Sequence, residues 1–549
     1  MDPSFVHSNG REIRDSTMLS RRHFLAGAAA FPALSYLSLG TAFAANPKTV
    51  LVVAQQLDNM TSLDPHESFE AIGSEICGNM YHKLVMPNYE DANKVEPQIA
   101  ESWSAGEDGK TFTFKIRTGL KFSSGGALSA EDCAWSLQRS VSMNKGPAFI
   151  ITQFGWNAEN AAEMIKATDA ETLVLTTAAP TSIAFLLYCL SANVGSIVEK
   201  AVVEAKAVDG DWGNAFLQKN SAGSGEFMLQ VWRPSDTVSL QVNPNGTYKG
   251  DLQRIILRHI VDPSAQLLML QKGDVDIARN LTSEQLKTLK DDASIVLVRK
   301  AIASLNLISL NVSNEKLKHP KVWEAVKWAL DYEGIQKNIL PMTHEVHQSI
   351  VPNGLPGADN ATPFQKDAAK AKALLAEAGF PNGFEIKMDH YSAQPHPAIA
   401  QAVQANLAEI GIKVTLLAAE NRQVLTKMRA REHEMALSAW GTDYFDPNSN
   451  AEVFCINTDN SDDAATKPFA WRSHFQDEKA AEMAVSARDE ADPAKRVEKY
   501  LELQQYFMNN SPFAIMMQGS NTAACRPNVT GVLLGTLSDS NSYAGTTKA

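Results

Sequence analysis

The chain has 549 residues, too many for one hydrophobic core, so two or three lobes are expected. Its hydrophobic content of 44% and charged content of 20% are those of an ordinary soluble globular protein. The formal net charge of -12 argues against binding to nucleic acid or to an anionic membrane, and it mildly favours a neutral or cationic ligand.

The first recognisable segment is an export signal. Arg21 and Arg22 precede an uncharged run, residues 24–45, that is rich in alanine and interrupted by Pro32. The run ends in Ala42-Phe43-Ala44, a small-residue pattern typical of a cleavage site. We therefore predict a signal peptide over residues 1–44, cleaved after Ala44, and the paired arginines resemble the twin-arginine export signal. An uncleaved anchor is the alternative, and Met18 is an alternative start.

Turn and capping signals organise the next part of the chain. Residues 111–117 alternate polar and apolar side chains, as a half-buried strand does. After a glycine- and serine-rich turn, Ser129 and Asp132 have the spacing of a helix capping box. A helix is expected behind them.

The later half has the pattern of a parallel α/β sheet. Asp367 is placed to cap a helix that ends at Gly379, and strands are predicted around residues 384–388, 412–416 and 435–440, separated by helices. Strands that alternate with helices indicate a largely parallel sheet, in which ligands bind beyond the carboxyl ends of the strands. The loop of residues 440–447 follows one such end.

Five segments in order resemble family 5 extracellular solute-binding proteins, which include dipeptide, oligopeptide and nickel receptors. The strongest stretch, residues 97–137, is similar to the family signature around its "AESW" and "AED" motifs. The other segments are a Leu-Asp-Pro-His motif at residues 63–66 and the matches at residues 223–227, 273–277 and 371–379.

The resemblance implies a two-lobed α/β periplasmic-binding-protein fold with an extra inserted domain, three domains in all. Lobe I is expected to comprise residues 45–85, 222–305 and 519–549. The inserted domain is expected over residues 86–221, and lobe II over residues 306–518. The implied function is that of a periplasmic receptor that hands a peptide, or a peptide-like amine-bearing compound, to an inner-membrane ABC permease.

The resemblance also suggests ligand-binding residues. In dipeptide-binding relatives, an aspartate three residues after a tryptophan and three before Asp-Pro holds the ligand's ammonium group, which implies this role for Asp443. Trp440 and Tyr444 are expected to stack on the ligand or to pack between lobes, and Gly441 and Thr442 to offer backbone groups. Glu67, Ser68 and Phe69 are weaker candidates. Asp443 is expected to be hydrated in an open cleft, and Asp446 to be a turn residue.

One departure leaves the ligand class open. Dipeptide receptors hold the peptide carboxylate with an arginine of the second lobe, yet this chain has no arginine between Arg299 and Arg422. His390 and Tyr391 lie where it is expected. An opine, a nickel or other metal chelate, or a longer peptide are therefore alternatives to a dipeptide.

Signals for catalysis and for cofactors are weak. His344-Glu345-Val346-His347 lacks the spacing of a metalloprotease helix and is interpreted as a solvated loop. None of the five cysteines forms a CxxC pair, and the sequence does not choose a disulfide. A secreted hydrolase is thus the least favoured hypothesis. We expect a monomer with no catalytic residue, no metal, no cofactor and no nucleic-acid partner.

Overall fold

The structure is a computed structural model that describes residues 47–549. The predicted signal segment, with Arg21, Arg22 and the cleavage site after Ala44, lies outside the described residues. Within residues 47–549, no helix combines the length and the apolar character needed to cross a bilayer.

Strands and helices alternate along most of the described chain. The strands are β1 Val50–Gln55, β2 Val85–Pro87, β3 Val95–Pro97, β4 Ala100–Ala105, β5 Thr111–Ile116, β6 Ile165–Ala167, β7 Thr172–Thr176, β8 Phe227–Arg233, β9 Thr237–Val242, β10 Arg254–His259, β11 Ile277–Ala278, β12 Val296–Leu310, β13 His344–Val346, β14 Phe384–Tyr391, β15 Ile412–Ala419, β16 Met435–Gly441, β17 Phe513–Cys525, β18 Val529–Thr530 and β19 Thr547–Lys548. The α-helices are α1 Ala71–Met80, α2 Ala130–Met143, α3 Phe149–Thr152, α4 Ala161–Met164, α5 Ile183–Leu190, α6 Lys200–Glu204, α7 Asn214–Leu217, α8 Pro263–Lys272, α9 Ser283–Leu289, α10 Pro320–Ala329, α11 Tyr332–Asn338, α12 Ala368–Glu377, α13 His396–Glu409, α14 Asn421–Arg429, α15 Asn448–Cys455, α16 Phe469–Arg472, α17 Glu478–Arg488 and α18 Pro493–Asn510.

One large mixed sheet runs through most of the molecule. Its strand order is β15-β14-β16-β12-β17-β11-β1-β10-β9-β8, and β13 pairs with β17. We call β11, β1, β10, β9 and β8 half-sheet A, and β16, β14 and β15 half-sheet B. Half-sheet B is parallel throughout, and in half-sheet A β1 is parallel to both of its neighbours. The large sheet is therefore built from two α/β halves joined in the middle.

The join consists of the two long antiparallel strands β12 and β17. Their pairing breaks between Ala301 and Leu305, where the register shifts. Residues 302–304 bond elsewhere instead: the Gln518 side chain donates to the Ile302 carbonyl at 2.9 Å, and the Ala303 amide donates to the Thr536 carbonyl at 2.9 Å. A bulge of this kind bends a strand and re-aims its groups, so the backbone changes direction between the two halves.

A separate four-stranded antiparallel sheet, in the order β4-β5-β7-β6, carries its own core. Strand β5 buries alternate residues, as its pattern predicted, and Phe112 and Phe114 pack there with Leu173 and Leu175 of β7. Leu137 of α2 covers this layer. This core is distinct from those that flank the large sheet, and Tyr444 from the loop after β16 joins it.

Local sequence signals placed the main elements correctly. Ser129 and Asp132 form a reciprocal capping box at α2, and the Asp367 side chain accepts a hydrogen bond from the Lys370 amide at the start of α12. The predicted strands after residue 383 are β14, β15 and β16. The prediction of a parallel α/β arrangement is confirmed.

The solvated-loop interpretation of residues 344–347 is wrong. Residues His344–Val346 form β13, which pairs with β17, and His347 is buried with its ring Nε2 at 3.0 Å from the Val351 carbonyl. Its pKa is lowered to about 4 by burial. The segment is a strand because β17, which is distant in the sequence, supplies the pairing, as between Val346 and Met517.

Candidate functional site

A cavity of about 840 Å³, here called the central cavity, lies where the two half-sheets join. Half-sheet A contributes Gln55 at the end of β1 and Arg279 after β11, and the β12 bulge contributes residues 302–304. Half-sheet B contributes residues 441–443, at the carboxyl end of β16 and just after it. Its volume lies within the roughly 300–1,000 Å³ usual for small-molecule sites. Walls that belong to two separate halves make this a cleft rather than a pocket within one lobe.

Asp443 enters the central cavity from a fixed loop between β16 and α15. The Thr442 amide donates to the Ala303 carbonyl at 2.8 Å, and the Thr442 hydroxyl donates to Asn450 Oδ1 at 2.9 Å. The Asp443 amide donates to Ser449 Oγ at 2.9 Å. These bonds hold the backbone on both sides, so the carboxylate projects from a rigid base.

The Asp443 carboxylate makes no ion pair with any residue in the range 47–549. Burial, together with the negative charge of Glu452, raises its pKa to about 6. The expectation of a hydrated Asp443 is therefore wrong, because the loop is half-buried already. An uncompensated, partly desolvated carboxylate is a strong acceptor for a ligand cation.

Four more of the predicted residues line the central cavity: Gly441, Thr442, Ser68 and Phe69. A Cβ atom placed on Gly441 would meet no other atom within 4 Å, so the backbone there is open to an approaching ligand. Phe69 is 43% exposed and meets Phe149 edge to face, with ring centroids 6.0 Å apart.

Trp440, Tyr444 and Glu67 do not line the central cavity. Trp440 packs against the ring of Phe469 at 5.6 Å, and Tyr444 is buried against Phe185, a residue of the four-stranded-sheet core. Trp440 thus packs among residues of its own predicted lobe, and Tyr444 packs against a residue of the predicted inserted domain. Glu67 is turned away because it accepts hydrogen bonds from neighbouring amide side chains and pairs with Lys145.

The Leu-Asp-Pro-His motif has a structural role in the fold. Arg139 of α2 donates to both carboxylate oxygens of Asp64, at 3.0 and 2.6 Å, and both side chains are fully buried. His66 lies 2.9 Å from the Ser196 carbonyl through its Nε2. The motif therefore ties the segment after β1 to the four-stranded-sheet region and positions Ser68 and Phe69 at the cavity.

Sequence patterns missed a buried network in the cavity wall. Arg279 pairs with Glu75 at 3.2 Å, and Glu75 also accepts from the Tyr543 hydroxyl at 2.5 Å and from Asn541 at 2.7 Å. Arg279 donates further to Asn521 at 3.2 Å. These residues are up to 468 positions apart, and no local motif marks any of them.

Asp446 is the turn residue that was predicted, since its carboxylate accepts a hydrogen bond from the Asn448 amide at 2.8 Å. It is also fully buried and forms an ion pair with Arg496 at 2.8 Å, which the sequence did not predict. This pair anchors the far end of the loop that carries Asp443. The arginine lies in α18, so its pairing with Asp446 has no local signal.

The side of half-sheet B where a carboxylate-binding arginine was sought holds buried aromatic and imidazole groups. His390 and Tyr391 are 3% and 5% exposed and do not line the central cavity. Among residues 47–549, no group of three or more His, Cys, Asp or Glu side chains is placed to hold a metal ion. All five cysteines lie in this range, and each is free and buried.

A sequence model of the family described as "Bacterial extracellular solute-binding proteins, family 5 Middle" matches residues 94–462, more than half of the chain. The chain belongs to this family. The resemblance inferred from the motifs is thereby confirmed. The family consists of solute-binding proteins rather than enzymes, and its members bind small-molecule or peptide ligands and act with an ABC permease.

Named relatives cover nearly the whole chain. The probable D,D-dipeptide-binding periplasmic protein DdpA of Escherichia coli (strain K12) is 27% identical over 512 residues, covering 91% of this chain and 95% of its own. The glutathione-binding protein GsiB of Shigella dysenteriae serotype 1 (strain Sd197) is 25% identical over 529 residues, covering 93% and 97%.

A solved structure of similar fold is the periplasmic binding protein DppA from Helicobacter pylori in complex with the peptide STSA. It superposes with a TM-score of 0.73 at 24% identity, covering 91% of this chain and 98% of its own. This likeness confirms the two-lobed α/β fold predicted from the sequence.

Proposed function

We propose that this protein is a periplasmic receptor that binds a peptide or peptide-like compound through a free amino group and delivers it, as a monomer, to an inner-membrane ABC permease. The observation that carries the proposal is the Asp443 carboxylate, which is half-buried in the central cavity without a cationic partner among residues 47–549. An ammonium group would complete a charge-assisted hydrogen bond there. The names of DdpA and GsiB, a dipeptide- and a glutathione-binding protein, support a peptide-like ligand.

The recognition of a ligand carboxylate has weaker support. Among the residues that line the central cavity, Arg279 is the one with a side-chain cation, and Glu75 already neutralises it. A free carboxylate on the ligand would find no unpaired cation in this wall. We therefore attribute most of the binding affinity to the amino group of the ligand. Gly441 and Thr442 then offer backbone groups to the adjoining peptide unit.

The domain division remains part of the proposal. Residues 45–85, 222–305 and 519–549 are assigned to lobe I, residues 86–221 to the inserted domain and residues 306–518 to lobe II. Support comes from the strands: those of half-sheet B all lie in the third region, and β4 to β7 all lie in the second. The register break after Ala301 is then the hinge.

Binding by a purified protein tests the proposed ligand class. Titration calorimetry compares Ala-Ala with N-acetyl-Ala-Ala, because acetylation removes the ammonium charge and keeps the backbone. Truncating one partner of a buried charge pair costs about 2–5 kcal/mol, and each tenfold change in affinity is about 1.4 kcal/mol. Both N-acetylation and Asp443→Asn should therefore weaken binding by about thirtyfold or more.

Asp463→Asn is the matched control, since Asp463 is an exposed aspartate of the same region outside the cavity lining. It should bind the free peptide as the wild type does. Equal affinity of the wild type for the free and acetylated peptides would contradict a role for the amino group. Undiminished binding by Asp443→Asn would contradict Asp443 as its partner.

Export to the periplasm has its own test. The proposal uses the Arg21-Arg22 pair as a twin-arginine signal that is cleaved after Ala44. Replacing both arginines with lysine should leave uncleaved precursor in the cytoplasm, as judged by fractionation and immunoblotting. Normal periplasmic accumulation of that variant would argue for a different export route.

A further inference from the structure

The central cavity is strongly acidic. Five carboxylate side chains line it, those of Asp58, Glu70, Glu75, Asp443 and Asp539, against the single guanidinium of Arg279 among the described residues. Nearby basic side chains compensate some of this negative charge. Whether the cavity selects a cation depends on which carboxylates remain without a partner.

Three of the five carboxylates have basic partners. Glu75 pairs with Arg279 at 3.2 Å, and Asp539 pairs with Lys83 at 3.2 Å. Asp58 faces the imidazole of His259 at 2.7 Å. Within residues 47–549, Glu70 and Asp443 are the two lining carboxylates that have no basic partner.

Glu70 precedes α1, in the region assigned to lobe I, whereas Asp443 follows β16, in the region assigned to lobe II. Its carboxylate accepts hydrogen bonds from the Thr61 hydroxyl and from the Phe69 amide, which orient it. Neither donor carries a charge. The carboxylate is therefore positioned but not neutralised.

Two buried amide oxygens belong to residues that line the same cavity as Glu70, and they point to the same kind of ligand. Gln55 is 8% exposed and Asn193 is 6% exposed, and both line the central cavity. Their oxygens, Gln55 Oε1 and Asn193 Oδ1, have no hydrogen-bond donor within the described part of the chain. The amide nitrogen of Asn193 donates to the Ser74 carbonyl at 2.9 Å, which fixes which end of that amide is the acceptor. Buried acceptors without donors are uncommon in proteins, so each one calls for a partner.

We propose that Glu70, Gln55 and Asn193 form a second subsite that takes a second cationic donor group of the ligand. This inference rests on the proposed function, in which Asp443 holds the amino terminus. The preferred ligand then carries two positive charges, as does a short peptide with a lysine, ornithine or arginine side chain. A lysine ammonium has three N–H donors and suits a carboxylate flanked by two amide oxygens.

The same wall discriminates against neutral ligands. When a ligand fills the cavity it removes water from Glu70, and a carboxylate that loses water without gaining a counter-ion is destabilised. A ligand with an apolar side chain of equal length leaves Glu70 in that state. A basic side chain supplies the counter-ion, so selectivity arises from the penalty against one ligand as well as from the attraction to the other.

The test compares Ala-Lys with Ala-norleucine, whose side chain has nearly the same shape as that of lysine without the ammonium group. Titration calorimetry on the wild type should give at least tenfold tighter binding of Ala-Lys. Glu70→Gln should abolish this preference and leave the affinity for Ala-norleucine unchanged or improved. Glu101→Gln, at an exposed glutamate of β4 outside the cavity lining, is the matched control and should keep the preference.

The outcomes separate this inference from the proposed function. Equal binding of the two peptides by the wild type, or an equal loss of both in Glu70→Gln, would overturn the second subsite while an amine-binding receptor stands. If neither peptide binds, 1,5-diaminopentane is the deciding probe. Binding of this diamine that Glu70→Gln weakens at least tenfold supports the subsite without the peptide proposal, and no binding of the diamine overturns both.

Discussion

Binding of an amine ligand should weaken as the pH falls through about 6. The reason is Asp443, whose pKa is raised to about 6 by burial and by the negative charge of Glu452. An ammonium group beside the carboxylate favours the ionised form and lowers this pKa in the complex. Below about pH 6 the free protein holds a proton on Asp443 that must leave before the ammonium can pair with it.

The size of this effect follows from proton linkage. Each pH unit below the pKa of the free protein costs up to about tenfold in affinity, while the pKa of the complex stays lower. Between pH 7.5 and pH 5 the dissociation constant should therefore rise about tenfold. The α-amino group of the peptide, with a pKa near 8, remains protonated over most of this range and does not mask the change.

Stability should change in the opposite sense. The folded pKa is raised, so ionised Asp443 destabilises the native state above about pH 6, and this penalty is absent below about pH 4. A shift of about two pKa units corresponds to at most about 3 kcal/mol, and partial hydration reduces it. Asp443→Asn should consequently melt higher than the wild type at pH 7.5 and at the same temperature at pH 4.

Calorimetric titrations of Ala-Ala from pH 5 to pH 7.5, in buffers of different ionisation enthalpy, measure both the affinity and the protons released. The wild type should release close to one proton at pH 5 and almost none at pH 7.5. Asp443→Asn should bind weakly, with no proton release assignable to this site. A wild-type affinity that stays constant from pH 7.5 to pH 5 would refute the assignment of the raised pKa to the ligand-binding carboxylate.

Three further predictions concern the scaffold. Arg139→Met leaves Asp64 buried without its counter-ion and should lower the free energy of unfolding by about 3–5 kcal/mol, as measured by urea denaturation. An unchanged unfolding midpoint would contradict a role for this ion pair in joining the segment after β1 to α2. Lys327 is buried, donates hydrogen bonds to two backbone carbonyls and has a pKa that burial lowers to about 7. The stability of the wild type should therefore rise between about pH 7 and pH 10, and Lys327→Met should remove that rise. A wild-type melting temperature that does not change over this pH range would contradict the prediction. Small-angle scattering should show a smaller radius of gyration when a bound peptide draws the half-sheets together, and an identical radius with and without peptide would speak against closure.

Elements that depend on near neighbours were predictable from the sequence. The capping box of Ser129 and Asp132 and the helix start at Asp367 each need side chains within three residues, and all formed as predicted. The alternation that marked β14, β15 and β16 reflects one buried face, which is again a local property. The position of Asp443 followed from this, because the loop after a parallel strand must open at the ligand-binding edge of the sheet.

Elements that depend on distant partners were not predictable. Residues 344–347 have no strand pattern and became β13 because β17 offers an edge. Asp446 has the sequence of a turn, yet Arg496 reaches it from another helix and makes it a buried ion pair. The network of Glu75 and Arg279 joins the two ends of the described chain. In each case the deciding contact spans 50 residues or more, so no window of sequence contains both partners.

Under the proposed function, the unpaired carboxylates of the cavity serve reversible ligand binding, whereas the paired carboxylates stabilise the fold. The carboxylates that stabilise the fold, such as Glu75 and Asp64, are paired with arginines. Asp443, in the loop after β16, and Glu70, which precedes α1, lack such partners among residues 47–549, and burial makes the ionised form of Asp443 costly in the empty protein. Under the proposed function, a cationic ligand relieves that cost at Asp443 and gives Glu70 a counter-ion, so its binding energy favours the state in which the two halves approach. Replacing Asp443 should therefore stabilise the empty receptor, and replacing either carboxylate should weaken the coupling between ligand binding and closure.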